Sequence, residues 1–146
     1  MKPYPHVYSA SATGPVKGPV TVAAAGLPAI ATAPPAEFDG PGDTWSPETL
    51  LVASIADCFV LTFRGVSRAA NFEWETLECA VEGTLERVDG VTRFSRYTTR
   101  ATLTVGTGAS HDKARELLER AEKVCLVANS LQGERRLEAA VVTNAT

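Results

Sequence analysis

Three cysteines and one glutamate carry the reactive chemistry that this sequence offers: Cys58, Cys79, Cys125 and Glu48. A thiolate is both a nucleophile and a metal ligand, and its reactivity follows its pKa and its exposure. The cysteines form no CxxC pair, and His6 and His111 are too few and too separated for a histidine metal site, so no metal is expected. What remains is thiol redox chemistry or simple packing, since a free cysteine also behaves as a small buried apolar residue. Cys79 alternates with Leu77 and Val81 on one face of a strand pattern and reads as structural. Cys58 lies midway along an apolar helix and Cys125 on the inward face of another, and both admit either reading. Glu48 falls at a helix amino terminus, where a carboxylate stabilises the dipole by about 0.3–1 kcal/mol. It also stands ten residues before Cys58, about 15 Å along a straight helix. A glutamate side chain cannot span that. For Glu48 to serve a cysteine, either the helix breaks between them or the carboxylate reaches the cysteine of another subunit.

The elements that position these residues follow from pattern. From Tyr4 to Gly42 the chain is rich in Gly, Pro, Ala and Val and lacks helical periodicity. Short runs at 20–22 and 29–31 flank Gly26-Leu27-Pro28 and predict a hairpin, and Pro34 to Asp43 reads as a loop. A helix then begins, with Ser46 as N-cap, Pro47 in the first position and Glu48 in the first turn. From Leu50 to Phe63 it is apolar around most of its circumference, with Arg64 and Arg68 only towards its carboxyl end. Such a helix must be covered on nearly all sides, and one amphipathic helix cannot do so. A second chain is expected.

Leu77 to Glu86 alternates with period two, Asp89-Gly90 signals a hairpin turn, and the return strand runs from Val91 to Val105. After a break at Gly106 to Ala109, a second helix starts at Ser110. It places Ala114, Leu117, Leu118, Ala121, Val124, Cys125 and Ala128 along one face and ends at Asn129 to Gly133, before a last strand from Leu137 to Thr143. The order predicts an α+β fold as a single domain over residues 1–146.

Composition narrows the function classes. Of 146 residues, 45% are hydrophobic and 21% charged, as in one globular domain. Fourteen basic against seventeen acidic residues give a net charge of −3, without the basic excess of a nucleic-acid or anionic-membrane binder. No unbroken run of 18 apolar residues occurs, so no membrane-spanning helix is expected. Proline and glycine interrupt the Ala-rich amino-terminal stretch, which argues against a signal peptide. An odd number of cysteines argues against a disulfide scaffold. A cytoplasmic location is the expectation.

Trp45-Ser46-Pro47-Glu48-Thr49-Leu50-Leu51, followed by Ala56-Asp57-Cys58-Phe59, resembles the "(N/S)PE-x-L-(L/F)…A-x-C-F" helix of the OsmC/Ohr family, named for osmotically inducible protein C and organic hydroperoxide resistance protein. The segment Ala121 to Leu131 resembles that family's second cysteine segment, "C-P-x-S-x-x-L". The resemblance covers nearly the whole chain. It implies an OsmC-like fold, with antiparallel sheets packed on a long central helix and a second amphipathic helix, assembled as an intertwined homodimer with active sites at the subunit interface. It implies a thiol peroxidase in which Cys58 is the peroxidatic cysteine, Cys125 the resolving one and Glu48 part of the activating network. The thiolate attacks the peroxide O–O bond and becomes a sulfenic acid, which the second thiol captures as a disulfide. A dithiol reductant of lipoyl or thioredoxin type then restores both thiols by exchange. No cofactor is implied. Leu51, Phe59 and Phe63 would form an apolar mouth favouring organic hydroperoxides over hydrogen peroxide.

Three positions depart from the family pattern. An arginine in the amino-terminal region, which pairs with the glutamate and lowers the cysteine pKa, is absent from Ala12 to Gly18, and Lys17 is the candidate activating cation in its place. Leu126 and Ala128 replace the proline and serine after the second cysteine. Asp57 precedes Cys58 where alanine is common, and an adjacent carboxylate tends to raise a thiol pKa. Two other readings stand beside the peroxidase: a non-catalytic module that binds an apolar small molecule, and a thiol redox sensor.

Overall fold

The computed structural model describes residues 1–144. Ala145 and Thr146, the last two residues of the expected single domain, lie outside the described residues. Contacts cluster into two units, Met1–Leu51 and Val52–Thr146, with the boundary inside the first long helix.

The amino-terminal unit holds an antiparallel sheet of three short strands, β1 (Ser11–Thr13), β2 (Val20–Ala23) and β3 (Ile30–Thr32), in that order. The expected hairpin is β2–β3, with Val20 opposite Thr32. β1 is not among the expected strands. The following loop makes a 3-10 turn at Ala36–Phe38. It passes so close to itself that a Cβ on Gly40 would lie 1.7 Å from the Pro34 carbonyl oxygen. The Ala33 N–H donates to the Trp45 carbonyl (2.9 Å) and the Thr44 hydroxyl to the Ala31 carbonyl (3.1 Å), which ties the start of helix α1 (Pro47–Ala69) to β3. Ser46 caps α1 as expected. Its Oγ accepts from the Thr49 N–H (3.1 Å), and its own N–H donates to Thr49 Oγ1 (2.9 Å). This is a capping box with threonine where glutamate or glutamine is usual.

In the second unit β4 (Thr76–Val88) and β5 (Val91–Val105) pair antiparallel, joined by Asp89 and Gly90, both at positive φ (50° and 79°) as a type I′ turn requires. β6 (Glu134–Thr143) pairs parallel to β5, so β5 is central in the order β4-β5-β6. Parallel neighbours need a crossover, supplied here by helices α2 (His111–Val124) and α3 (Leu126–Asn129). The core joins Phe59 and Phe63 of α1, Ala101, Leu103 and Val105 of β5, and Ala114, Leu117, Leu118 and Ala121 of α2. Gly83 marks a close approach of α1 to the sheet, since a Cβ there would meet Val52 Cγ1 and Phe94 Cε1 at 2.9 Å.

Four expectations change. The sheet expected to be antiparallel is mixed, since β6 runs parallel to β5; within one chain α1, as expected, is not covered on nearly all sides. It buries one stripe, Ile55, Phe59, Phe63 and Ser67, at four-residue intervals, while Leu61 is 53% exposed. Each of the three apolar residues in that stripe contributes about 1.5–3 kcal/mol by burial. Secondly, α1 has 23 residues and a mean hydropathy of 1.6 over its most apolar window, long and apolar enough by composition to cross a membrane, which a search for an unbroken run overlooks. Its buried stripe is core of this unit. Thirdly, the second helix breaks at Cys125, whose backbone (φ −63°, ψ 106°) closes α2 and opens α3, and Val124 is left 48% exposed instead of facing inward. Lastly, β6 starts at Glu134, three residues before the expected Leu137.

Candidate functional site: a thiol pair at a helix break

Cys58 and Cys125 come together. Helix α1 presents Cys58, half-buried, on the flank of its buried stripe, and the break between α2 and α3 presents Cys125, fully buried. Both pack in a cluster with Ile55, Tyr97, Ala128 and Val127. The Asn129 side-chain amide donates to the Lys123 carbonyl (3.0 Å) where α2 ends, and Ser110 caps the start of α2 by accepting from the Lys113 N–H (3.1 Å).

The two thiols have opposed electrostatics. Burial pushes Cys58 up, but hydrogen bonds from the Val127 backbone N–H, the Thr62 hydroxyl, the Cys125 thiol and the Leu126 backbone N–H outweigh it and hold Cys58 below the ordinary thiol value. Thr62 Oγ1 stands 3.7 Å from Cys58 Sγ, one helical turn on. Cys125 is pushed up to about 11, first by burial, then by donating to Cys58 and by the negative charges of Cys58 and Glu122, against one opposing hydrogen bond from the Ala128 N–H. One thiol is therefore disposed to ionise and its neighbour to remain a proton donor. That is the arrangement of an attacking thiolate with a second thiol in reach.

Phe59 and Phe63 are fully buried in the core, Phe63 edge-to-face on Trp74 with centroids 5.2 Å apart, so neither forms a mouth. A helix facing a sheet must spend its largest residues on that sheet, and the sequence does not say which face this is. Leu51 is half-buried. α1 is unbroken from Pro47 to Ala69, which removes a helix break as a route from Glu48 to Cys58. Glu48 Oε1 is buried with no hydrogen-bond partner among the described residues. Lys17 is exposed in the turn between β1 and β2. Asp57 is exposed and is absent from the groups acting on Cys58, so the expected upward push from that carboxylate is not found. Cys79 packs against the core, as expected, and is pushed up to about 11 by burial and by the charges of Cys125 and Glu122.

Sequence reasoning missed Thr62, which its i+4 spacing from Cys58 could have revealed. It also missed the Leu126 and Val127 N–H donors, which no residue type advertises. An open cleft of about 570 Å³ beyond the carboxyl end of α1, lined among others by Phe72, Trp74, Ser110 and Lys113, contains no cysteine.

The architecture recurs in known proteins. An organic hydroperoxide resistance protein OsmC from Legionella pneumophila is 26% identical and superposes with a TM-score of 0.74 over 94% of this chain and 97% of its own. An OsmC-like protein of unknown function from Vibrio cholerae shares the fold more closely, with a TM-score of 0.82 over 92% and 99% of the two chains, at 19% identity. By sequence, the uncharacterized protein YmaD of Bacillus subtilis is 30% identical over 112 residues, covering 73% of this chain and 75% of its own. Residues 40–139, which hold both cysteine segments, match the family model for OsmC-like proteins, and the chain belongs to that family.

Proposed function

We propose that this protein is a thiol-dependent peroxidase that reduces organic hydroperoxides, with Cys58 as the peroxidatic and Cys125 as the resolving cysteine. The observation that carries this reading is the direct contact of two thiols whose pKa values move in opposite directions. The Cys58 thiolate attacks the terminal peroxide oxygen, the O–O bond breaks, and the alcohol leaves after taking a proton, with Cys58 oxidised to the sulfenic acid. Cys125 sulfur then attacks Cys58 sulfur, the S–O bond breaks, and the Cys125 proton leaves with the hydroxyl as water. A lipoyl- or thioredoxin-type dithiol restores the pair, and the three free thiols suit a reducing cytoplasm. The name borne by the Legionella protein supports the hydroperoxide as substrate class.

The working unit in this reading is a homodimer built from one OsmC-like domain per chain. The uncovered flank of α1 at Leu61, the exposed Val7, Tyr8 and Val16, and the unpartnered Glu48 Oε1 all favour a second chain that completes the site. Leu51 then remains as the apolar residue of the mouth, and Glu48 as part of the activating network across the interface. The four hydrogen bonds on Cys58 lower its pKa without calling on Lys17.

The test is consumption of cumene hydroperoxide with dihydrolipoamide. Cys58→Ser is expected to abolish turnover, and Cys125→Ser to permit about one turnover before stalling at the sulfenic acid. Peptide mapping of the oxidised wild type is expected to show Cys58 linked to Cys125 and Cys79 free. A dominant disulfide through Cys79, or equal residual activity in both mutants, would overturn the assignment.

A further inference from the structure

The break that carries Cys125 is held from β6 by a single side chain. Arg135 Nε donates to Glu122 Oε1 (2.8 Å), one terminal nitrogen donates to the Glu122 carbonyl, and the other donates to Asn129 Oδ1 (2.6 Å). Glu122 lies before the break and Asn129 after it, so one guanidinium spans both sides of Cys125. The Glu122 and Lys123 carbonyls belong to the last turn of α2, where no helical N–H follows to satisfy them. Arg135 takes the first and the Asn129 amide the second. Arg135 is itself anchored in the sheet opposite Tyr97, which packs against Cys125. Side-chain exposures of 26% and 16% make Arg135–Glu122 the most buried ion pair among the described residues; in the others every side chain is at least 43% exposed. Surface pairs contribute little to stability; a shielded, forked pair fixes geometry.

We propose that Arg135 is the positioning residue for the resolving step: it holds the α2–α3 break in the conformation that presents Cys125 to Cys58, and it pairs the Glu122 carboxylate that stands beside Cys125. The inference rests on the peroxidase reading of the thiol pair. The groups that face Cys125 are Cys58 from α1, Cys79 from β4, Tyr97 from β5 and Glu122 from α2, with Arg135 of β6 acting through Glu122. For capture of the sulfenic acid, the Cys125 proton must leave as its sulfur attacks. A Glu122 charge without its arginine favours the protonated thiol, so loss of Arg135 moves the resolving step to higher pH.

The experiment oxidises the reduced, full-length protein with one equivalent of cumene hydroperoxide across pH 6–10. The reaction is quenched with dimedone, which traps sulfenic acid, and disulfide is read against adduct by intact mass. Arg135→Gln is expected to slow disulfide formation about tenfold at neutral pH and to displace its rate–pH profile by about one unit towards higher pH, since one unit is a factor of ten. Glu122→Gln removes the carboxylate and is expected to displace the profile towards lower pH. Arg135→Lys keeps the charge but not the fork, and is expected to retain the wild-type pH profile at a reduced rate. Profiles that move in the same direction in Arg135→Gln and Glu122→Gln would show a merely structural role and overturn the inference, as would wild-type rate and profile in Arg135→Gln. If Arg135→Gln fails to fold, the downward shift in Glu122→Gln and the reduced rate of Arg135→Lys decide the matter. A wild type that forms no Cys58–Cys125 disulfide would instead overturn the peroxidase reading itself.

Discussion

At the scale of single residues, the site turns on how differently three chemically identical thiols are treated. Cys58 receives hydrogen bonds and is held down, whereas burial dominates at Cys79 and Cys125 and pushes both to about 11. A thiol whose pKa is raised on folding keeps its proton while the unfolded chain has lost it. Its contribution to stability is complete below the ordinary thiol range and declines as pH rises towards about 11. Urea denaturation from pH 7 to 11 is therefore expected to show alkaline destabilisation that is smaller in Cys79→Ala than in wild type. Identical slopes in the two proteins would show that Cys79 is not protected. Lys17 offers a second comparison. Because it is exposed in a turn and the Cys58 thiol has four hydrogen bonds of its own, Lys17→Ala is expected to leave the pH dependence of Cys58 alkylation by iodoacetamide unchanged. A rightward shift would make Lys17 the activating cation after all.

At the scale of elements, two helix termini set the geometry. The Ser46–Thr49 box fixes where α1 begins. Ser46→Ala removes the cap on the first turn and is expected to cost about 1.5–2 kcal/mol in urea denaturation, within the usual range for such caps. Ser46 is 2% exposed, which places the loss towards the upper part of that range. The second terminus is the break at Cys125. A straight continuation of α2 would have left the Leu126 and Val127 N–H groups bonded within the helix. Ending it frees them to point at Cys58, and makes the break part of the chemistry.

At the scale of the whole molecule, one chain leaves large apolar side chains exposed. Only 17% of the most apolar window of α1 is covered, β1 is exposed throughout, and β2 and β3 bury Thr32 alone. Sheets this short are rarely stable without something packed on them. The expected outcome in light scattering at micromolar concentration is a dimer of twice 15.5 kDa, with folding and association inseparable. Leu61→Glu, which places a charge on the uncovered flank of α1, is expected to weaken association severely. A stable, folded wild-type monomer would overturn the dimer and with it the role given to Glu48.

The local features of this fold were legible in the sequence because each depends on a few neighbouring residues. Alternation gave β4 and β5, Asp89-Gly90 gave their turn, the Ser46 hydroxyl gave the cap of α1, and the two cysteine segments gave the family. Three matters were left to the tertiary structure. Helical periodicity ran straight across Cys125, because residue type does not record that Arg135, ten residues later in another element, bonds both sides of a break. Phe59 and Phe63, expected at the mouth, lie in the core, because an all-round apolar helix does not announce which stripe meets the sheet. The donors on Cys58 were hidden, because backbone N–H groups look alike at every residue except proline, and only the fold aims them.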